Sequence, residues 1–467
     1  MEIESKQLVL NYRVKEKISF KEKLSYGMGG MADALVWSSI SAFGTYYYTN
    51  SAGLAAAAIG TMFLVSRIIS GISDIIMGMI IDRTHSKYGK ARPWLLWMAI
   101  PYAIATILLF SIPQSFSPGA KLVYAYITYN LVSSVLYPAI IQPYGTMSTL
   151  ITDNVEDRTQ LTVGRMAIQM FSVILLNFLV MPLVNAFGNT PSAWTKAFAV
   201  LAPIAAGILI ITFLNTKERI GEVAPETESI DEKKKALPIG VSLKTLVTNK
   251  YWVNRVLFGM MITIATATTG VNIYYASYWL NNNNAVGILS LANVIPMIIS
   301  LVLVTPLAAK LGKKMTVQLG VSVMIAGIIL QLIAPTNMLI IMIGYAIRGF
   351  GTGLATALSG VLLGDTIDYS EWKNGFRTEG LIFSAATIGT KIGSGLGAGI
   401  LGWALAWGGF NAAATTQTSG AMTAIIAVFT YIPLLVSVIA FLLNLVYDLD
   451  KKMPQILNDL NERNAAQ

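Results

Sequence analysis

The chain has no cysteine. It therefore builds no disulfide framework and offers no thiolate to a metal or a substrate. One histidine, His85, excludes a metal centre made of several imidazoles. It stands in a basic loop, where a solvated side chain is its expected role. Charged residues make up only 12% of the 467 positions, about half the share of an ordinary soluble domain. The chain is instead 54% hydrophobic, with mean hydropathy +0.61. That excess belongs to membrane spans. With no thiol, no metal cluster and no nucleophile–base triad, an enzyme is not expected, nor is a cofactor. The net charge of +9 would suit nucleic acid in a soluble chain. Here the basic residues gather in loops beside apolar runs, so the expected partner is the lipid bilayer and not nucleic acid. Residues 1–23 are charged and lack an apolar core. No cleavable signal is expected, and the first span doubles as the targeting signal.

The apolar runs predict an all-α membrane protein with twelve spans, at about 24–49, 56–81, 93–113, 120–151, 161–187, 194–215, 251–281, 285–309, 315–334, 337–364, 379–407 and 419–447. Basic residues orient them. They crowd the N-terminus, the 82–92 hairpin, the 216–250 connector, Lys310 to Lys314, and the C-terminal tail. Only Lys121 and Lys196 fall in loops on the other side. Both termini are therefore expected in the cytoplasm of a bacterial inner membrane. The connector, which includes ETESIDEKKK, divides the chain. The expected organisation is a six-helix half at 1–215, a cytoplasmic connector at 216–250, a second half at 251–447 and a cytoplasmic tail at 448–467. A short basic hairpin follows the second span of each half, a weak internal symmetry of the kind carriers show.

Asp33 and Asp74 are the only acids well inside spans. A charge at bilayer depth costs on the order of 2.5–3.5 kcal/mol, so it normally faces a cavity or a partner. Arg67 and Asp74 are seven residues apart, nearly on one helix face. Glycines recur at Gly349, Gly351 and Gly353 and again from Gly393 to Gly402. No strand precedes them and no GK[ST] follows, so they are not a nucleotide loop. Close helix packing or a hinge in a moving helix are the two readings left open.

Four motifs carry a resemblance. They are DRTHSKYGKARPW from Asp82 to Trp94, DTIDYSEWKNGFRTEG from Asp365 to Gly380, DRTQL from Asp157 followed by Arg165, and Ser25-Tyr26-Gly27 leading to Tyr46-Tyr47-Tyr48-Thr49. In order and spacing the chain resembles the glycoside–pentoside–hexuronide:cation symporters, the melibiose-carrier-like members of the major facilitator superfamily. The likeness spans nearly the whole chain except connector and tails, and implies no added C-terminal regulatory domain.

The resemblance implies a secondary transporter that imports a sugar or glycoside by cation symport with alternating access. An uncoupled facilitator or exchanger and a non-transporting sugar sensor are the alternatives. It implies a small-molecule sugar as substrate and a protein working as a monomer. Asp33, Trp37, Tyr144 and Arg165 are the substrate-binding candidates. Arg165 offers a rigid donor fork to hydroxyls, with a gating ion pair as its rival role. Asp74, Ser70, Arg67 and Lys391 are the cation-coupling candidates, Lys391 as an internal counter-charge or a fixed structural partner. Asp365, Asp368, Glu371, Arg377 and Glu379 are expected to gate by ion pairs with basic loop residues. The chain departs from the family at Ser70, where a second acid is frequent, and at Ile141 and Ala34 near the sugar site. With one carboxylate fewer, a proton is favoured over sodium as coupling ion.

Overall fold

The computed structural model describes residues 18–220, 246–375, 379–414 and 416–465. Most of the 216–250 connector, and Arg377, lie outside the described residues. So does the side chain of Glu379, whose backbone opens a helix.

The described chain is helical, without strands. Helices α1 (Phe20–Tyr46), α2 (Ala56–Asp82), α3 (Arg92–Leu109), α4 (Pro118–Asn130), α5 (Tyr137–Ile151), α6 (Val155–Ala186) and α7 (Pro191–Asn215) precede the connector. After it come α8 (Lys250–Ala267), α9 (Ala285–Leu311), α10 (Lys313–Ile333), α11 (Met338–Ala357), α12 (Ser359–Asn374), α13 (Glu379–Trp407), α14 (Ser419–Ile426), α15 (Ile432–Val446) and α16 (Leu449–Ala465). Among the described residues nine helical segments are long and apolar enough to cross a membrane. In a bilayer every backbone N–H and C=O must be paired within the segment, which is why apolar runs of this length become helices.

Several helix starts are written locally. Asn154 accepts N–H bonds from Glu156 and Asp157. Asn249 does so from Tyr251 and Trp252, and Asn337 from Leu339 and Ile340. Each satisfies donors that a first turn leaves open.

The chain divides into two compact units, Met1–Ile40 with Ile69–Ser229, and Ser41–Ile68 with Ile230–Gln467. In the first, α3 and α7 pack through Phe110, whose ring stacks on Phe198 at 3.7 Å. In the second, glycines set the helix crossings. A Cβ on Gly351 would meet the Gly320 carbonyl oxygen at 2.5 Å, and one on Gly327 would meet the Arg348 N at 2.5 Å. One on Gly397 would meet the Ala267 Cβ at 2.6 Å. Close packing accounts for these positions. The C-terminal end of α1 and the N-terminal part of α2 belong to this second unit. There Asn50 donates to the Tyr278 hydroxyl at 2.7 Å, Thr49 and Tyr274 share a 2.6 Å hydrogen bond, and Trp403 donates to Thr61 at 3.1 Å.

Two stretches differ from the sequence reading. The segment expected to end near 364 continues as α12 to Asn374. The tail expected only as a polar end forms α16, whose apolar face (Leu449, Met453, Ile456, Leu460) is buried in the core of the second unit. Trp372 donates to Asp459 at 2.7 Å, and Arg463 donates to the Trp372 carbonyl at 3.0 Å. At its start, a hydrogen bond from Tyr251 and the Lys452 ammonium hold the Asp448 carboxyl below its usual range.

Candidate functional site

A glycine face on α1 builds the first unit's polar wall. A Cβ on Gly29 would meet the Tyr144 ring at 2.5 Å, and one on Gly30 would meet the Arg165 Cγ at 3.0 Å and the Gln169 Cβ at 3.5 Å. Absence of side chains there lets α5 and α6 reach the α1 backbone. Tyr144 then donates its hydroxyl to the Tyr26 carbonyl at 2.5 Å, and Tyr26 donates back to the Tyr144 carbonyl at 3.2 Å. Tyr144, 1% exposed, thus carries its ring from α5 against the α1 backbone.

The Arg165 guanidinium lies 5.4 Å from the centre of that ring, a cation–π seat that fixes the fork. Arg165 is half-buried. Its Nε is buried without a hydrogen-bond partner among the described residues. One turn along α6, Gln169 donates Nε2–H to Asp33 Oδ2 at 2.7 Å. Asp33 is buried, and the Tyr137 hydroxyl also faces it. Trp37, one turn beyond Asp33, packs its ring 4.4 Å from that of Tyr137. The structure thus brings Asp33, Trp37, Tyr144 and Arg165 into one wall. It adds Tyr26, Tyr137 and Gln169, and the buried Tyr102 behind Asp33. Gln169 was legible as a neighbour of Arg165, four residues on along a helix. Nothing in the sequence marked Tyr102 or Tyr137.

The α2 candidates lie along one helix. Ser70 is buried and Asp74, one turn later, is half-buried. In the second unit Arg67 packs on α13, since a Cβ on Gly395 would meet the Arg67 Cβ at 3.0 Å. Lys391 stands one turn before that glycine. Of the expected gating residues, Asp365 is buried and takes an ion pair from Lys313 at 2.5 Å. Asp368 and Glu371 follow on α12, both half-buried. A matching pair ties the first unit, where Lys23 meets Asp157 at 2.5 Å.

Residues 25–451 match the family described as MFS/sugar transport protein. The chain belongs to that family. This MFS/sugar transport protein is 32% identical to the isoprimeverose transporter of Lactiplantibacillus pentosus, over 97% of this chain and 94% of the relative. It is 29% identical to a putative glycoside/cation symporter, YagG, of Escherichia coli (strain K12), over 97% of each. The crystal structure of the nucleoside transporter NupG has the same fold, with TM-score 0.62 and 14% identity over 91% of this chain and all of that one. The MFS/sugar transport protein is a multi-pass membrane transporter and not an enzyme.

Proposed function

We propose that this protein imports a sugar or glycoside by symport with a cation, the proton in preference to sodium. The observation that carries the reading is Arg165, half-buried with its guanidinium 5.4 Å from the centre of the Tyr144 ring, in a member of a sugar-transport family. A guanidinium held this way offers several N–H groups to vicinal hydroxyls at one fixed geometry. Trp37 and Tyr137 supply apolar ring faces beside it. The names of the relatives at 32% and 29% identity, an isoprimeverose transporter and a putative glycoside/cation symporter, support this substrate class and a coupled mode.

Asp74 is the coupling carboxylate in this reading, with Ser70 beside it and Arg67 and Lys391 as the balancing charges. Asp365, Asp368, Glu371, Arg377 and Glu379 are gating groups on the cytoplasmic side, and the Lys313–Asp365 pair supports that role for the first of them. The chain works as a monomer of twelve spans in the bacterial inner membrane. Halves at 1–215 and 251–447 flank the 216–250 connector, and both termini and the 448–467 tail are cytoplasmic. The basic loops on one side support this topology.

Uptake into proteoliposomes tests the reading, with isoprimeverose as the first substrate. An inward proton gradient without sodium should drive accumulation. Accumulation driven by sodium and indifferent to a proton gradient would replace the proton. Equilibration without accumulation under either gradient would make the protein a facilitator.

A further inference from the structure

The span read at 251–281 contains Thr266-Ala267-Thr268-Thr269-Gly270-Val271, a run of poor helix formers broken only by one alanine. The helix yields there. α8 stops at Ala267, and a tight 3-10 turn, Thr268–Val271, follows. One helical turn, Asn272–Tyr274, and a π turn, Tyr275–Trp279, complete the span. Ala265, Thr268, Val271 and Ile273 are all buried. Carbonyls at a helix end lack N–H donors, and in a buried site side chains must supply them.

α11 supplies them on both sides of the break. Arg348 donates Nη2–H to the Ala265 carbonyl at 2.8 Å, beside the Thr268 hydroxyl at 2.9 Å. One turn earlier, Tyr345 donates its hydroxyl to Asn272 Oδ1 at 2.5 Å. Arg348 is buried and makes no ion pair among the described residues. Its charge meets the negative end of α8 and the Tyr345 ring, 5.8 Å away. α11 is itself held fast. A Cβ on Gly327 would meet the Arg348 N at 2.5 Å and the Gly344 carbonyl oxygen at 2.6 Å, and Asn293 donates to the Tyr345 carbonyl at 3.4 Å. Beyond the break the span grips the end of α1. A Cβ on Gly270 would meet the Ser41 carbonyl oxygen at 3.0 Å, and Tyr274 and Tyr278 hydrogen-bond Thr49 and Asn50.

We propose that Arg348 and Tyr345 splint this break, so that residues 250–279 move as one rigid piece, and that both are positioning residues for transport. The buried run of threonines and glycine would otherwise bend freely. Two anchors three residues apart on one packed helix cannot follow halves that swing separately. The splint therefore keeps Tyr274 and Tyr278 aimed at the end of α1, and their bonds to Thr49 and Asn50 form and break together. Neither Arg348 nor Tyr345 belongs to the wall around Arg165, so the splint acts on the rate of conversion between states and not on sugar affinity. It requires only that the protein transports, whichever ion drives it.

Hydrogen–deuterium exchange of the purified protein reads the break directly. Tyr345→Phe keeps the ring and loses only the bond to Asn272, so the amides at 269–272 should exchange about tenfold faster than in wild type. Unchanged exchange there would overturn the proposal, and this measurement decides alone should Arg348→Met not fold. Isoprimeverose counterflow in proteoliposomes reads the function. Arg348→Met and Tyr345→Phe should each slow counterflow about fivefold while leaving the Kd for isoprimeverose unchanged. Arg348→Lys, which keeps a charge for the α8 end, should recover part of the rate. A splint needs both anchors, so the double variant should be no slower than the slower single. Losses that multiply in the double variant would mean two independent bonds and overturn the splint, as would wild-type counterflow in both singles. A wild type that carries no isoprimeverose would count against the sugar reading, and the amide exchange would still decide the splint.

Discussion

The Glu218 carboxylate lies so close against Gly89 that no side chain fits between them. Gly89 has φ +101°, a left-handed conformation that costs other residues about 1–2 kcal/mol. The carboxylate accepts the backbone N–H of Arg92 at 2.5 Å, Ala91 at 2.9 Å and Lys90 at 3.0 Å. It caps α3 from the far end of α7, where the connector begins. Beside it Arg219 pairs with Glu22 at 2.8 Å. The connector's first residues therefore bind α1 and α3 together on this face of the first unit.

Gly89→Ala meets both the backbone strain and the carboxylate. It should destabilise the purified protein by about 2 kcal/mol, and Glu218→Ala by about 1 kcal/mol through three open N–H donors in partly solvated positions. Thermal unfolding in detergent measures both. Equal melting of Gly89→Ala and wild type would show that the loop yields at no cost.

Arg165→Lys replaces a fork by a point charge and loses the seat on Tyr144. Sugar affinity should fall about tenfold, or about 1.4 kcal/mol, with protein abundance changing less. Isothermal titration of the purified variant decides it. Unchanged affinity would remove Arg165 from the sugar site and favour a gating role.

Asp74→Asn cannot take up or release a charge. In proteoliposomes it should lose gradient-driven accumulation and keep some sugar exchange. Accumulation equal to wild type would take Asp74 out of the coupling machinery.

A cysteine placed at Ser229, in a chain that has none, should react with an impermeant thiol reagent only after cells are opened. Labelling in intact cells would reverse the topology.

Helix crossings supply a paired test. Gly351→Ala pushes a methyl into the Gly320 carbonyl, at 2.5 Å before relaxation, and should cost about 1–3 kcal/mol as overpacking. Gly207 on α7 has nothing within 4 Å of a Cβ. Gly207→Ala should be neutral or stabilising by about 0.5–1 kcal/mol, from helix propensity. Melting temperatures in the reverse order would contradict the packing.

Membrane class, helical fold and family were readable from the chain alone, because each depends on local composition. An apolar run of about twenty residues has few fates other than a spanning helix. Motifs such as DRTHSKYGKARPW are contiguous and survive without neighbours. Arg165 and Asp33 were noticed for the same reason: a charge in an apolar run is conspicuous wherever it points.

Partnership was not readable, since it depends on residues far apart in sequence. Nothing local says that Gln169 reaches Asp33 across 136 positions, or that Glu218 caps α3. Tyr102 and Tyr137 looked like the aromatic residues that any membrane protein spends on packing and interfaces. The α16 helix was missed because its mean composition is polar, and only docking on the second unit shows that one face is apolar. Sequence alone thus determined that the chain is a helical membrane protein and which charges its apolar runs carry, since the cost of burying backbone and charge in lipid is set residue by residue. Tertiary structure alone decided which of those charges stands half-open on a ring and which is sealed, because glycine gaps on α1 set how near α5 and α6 approach.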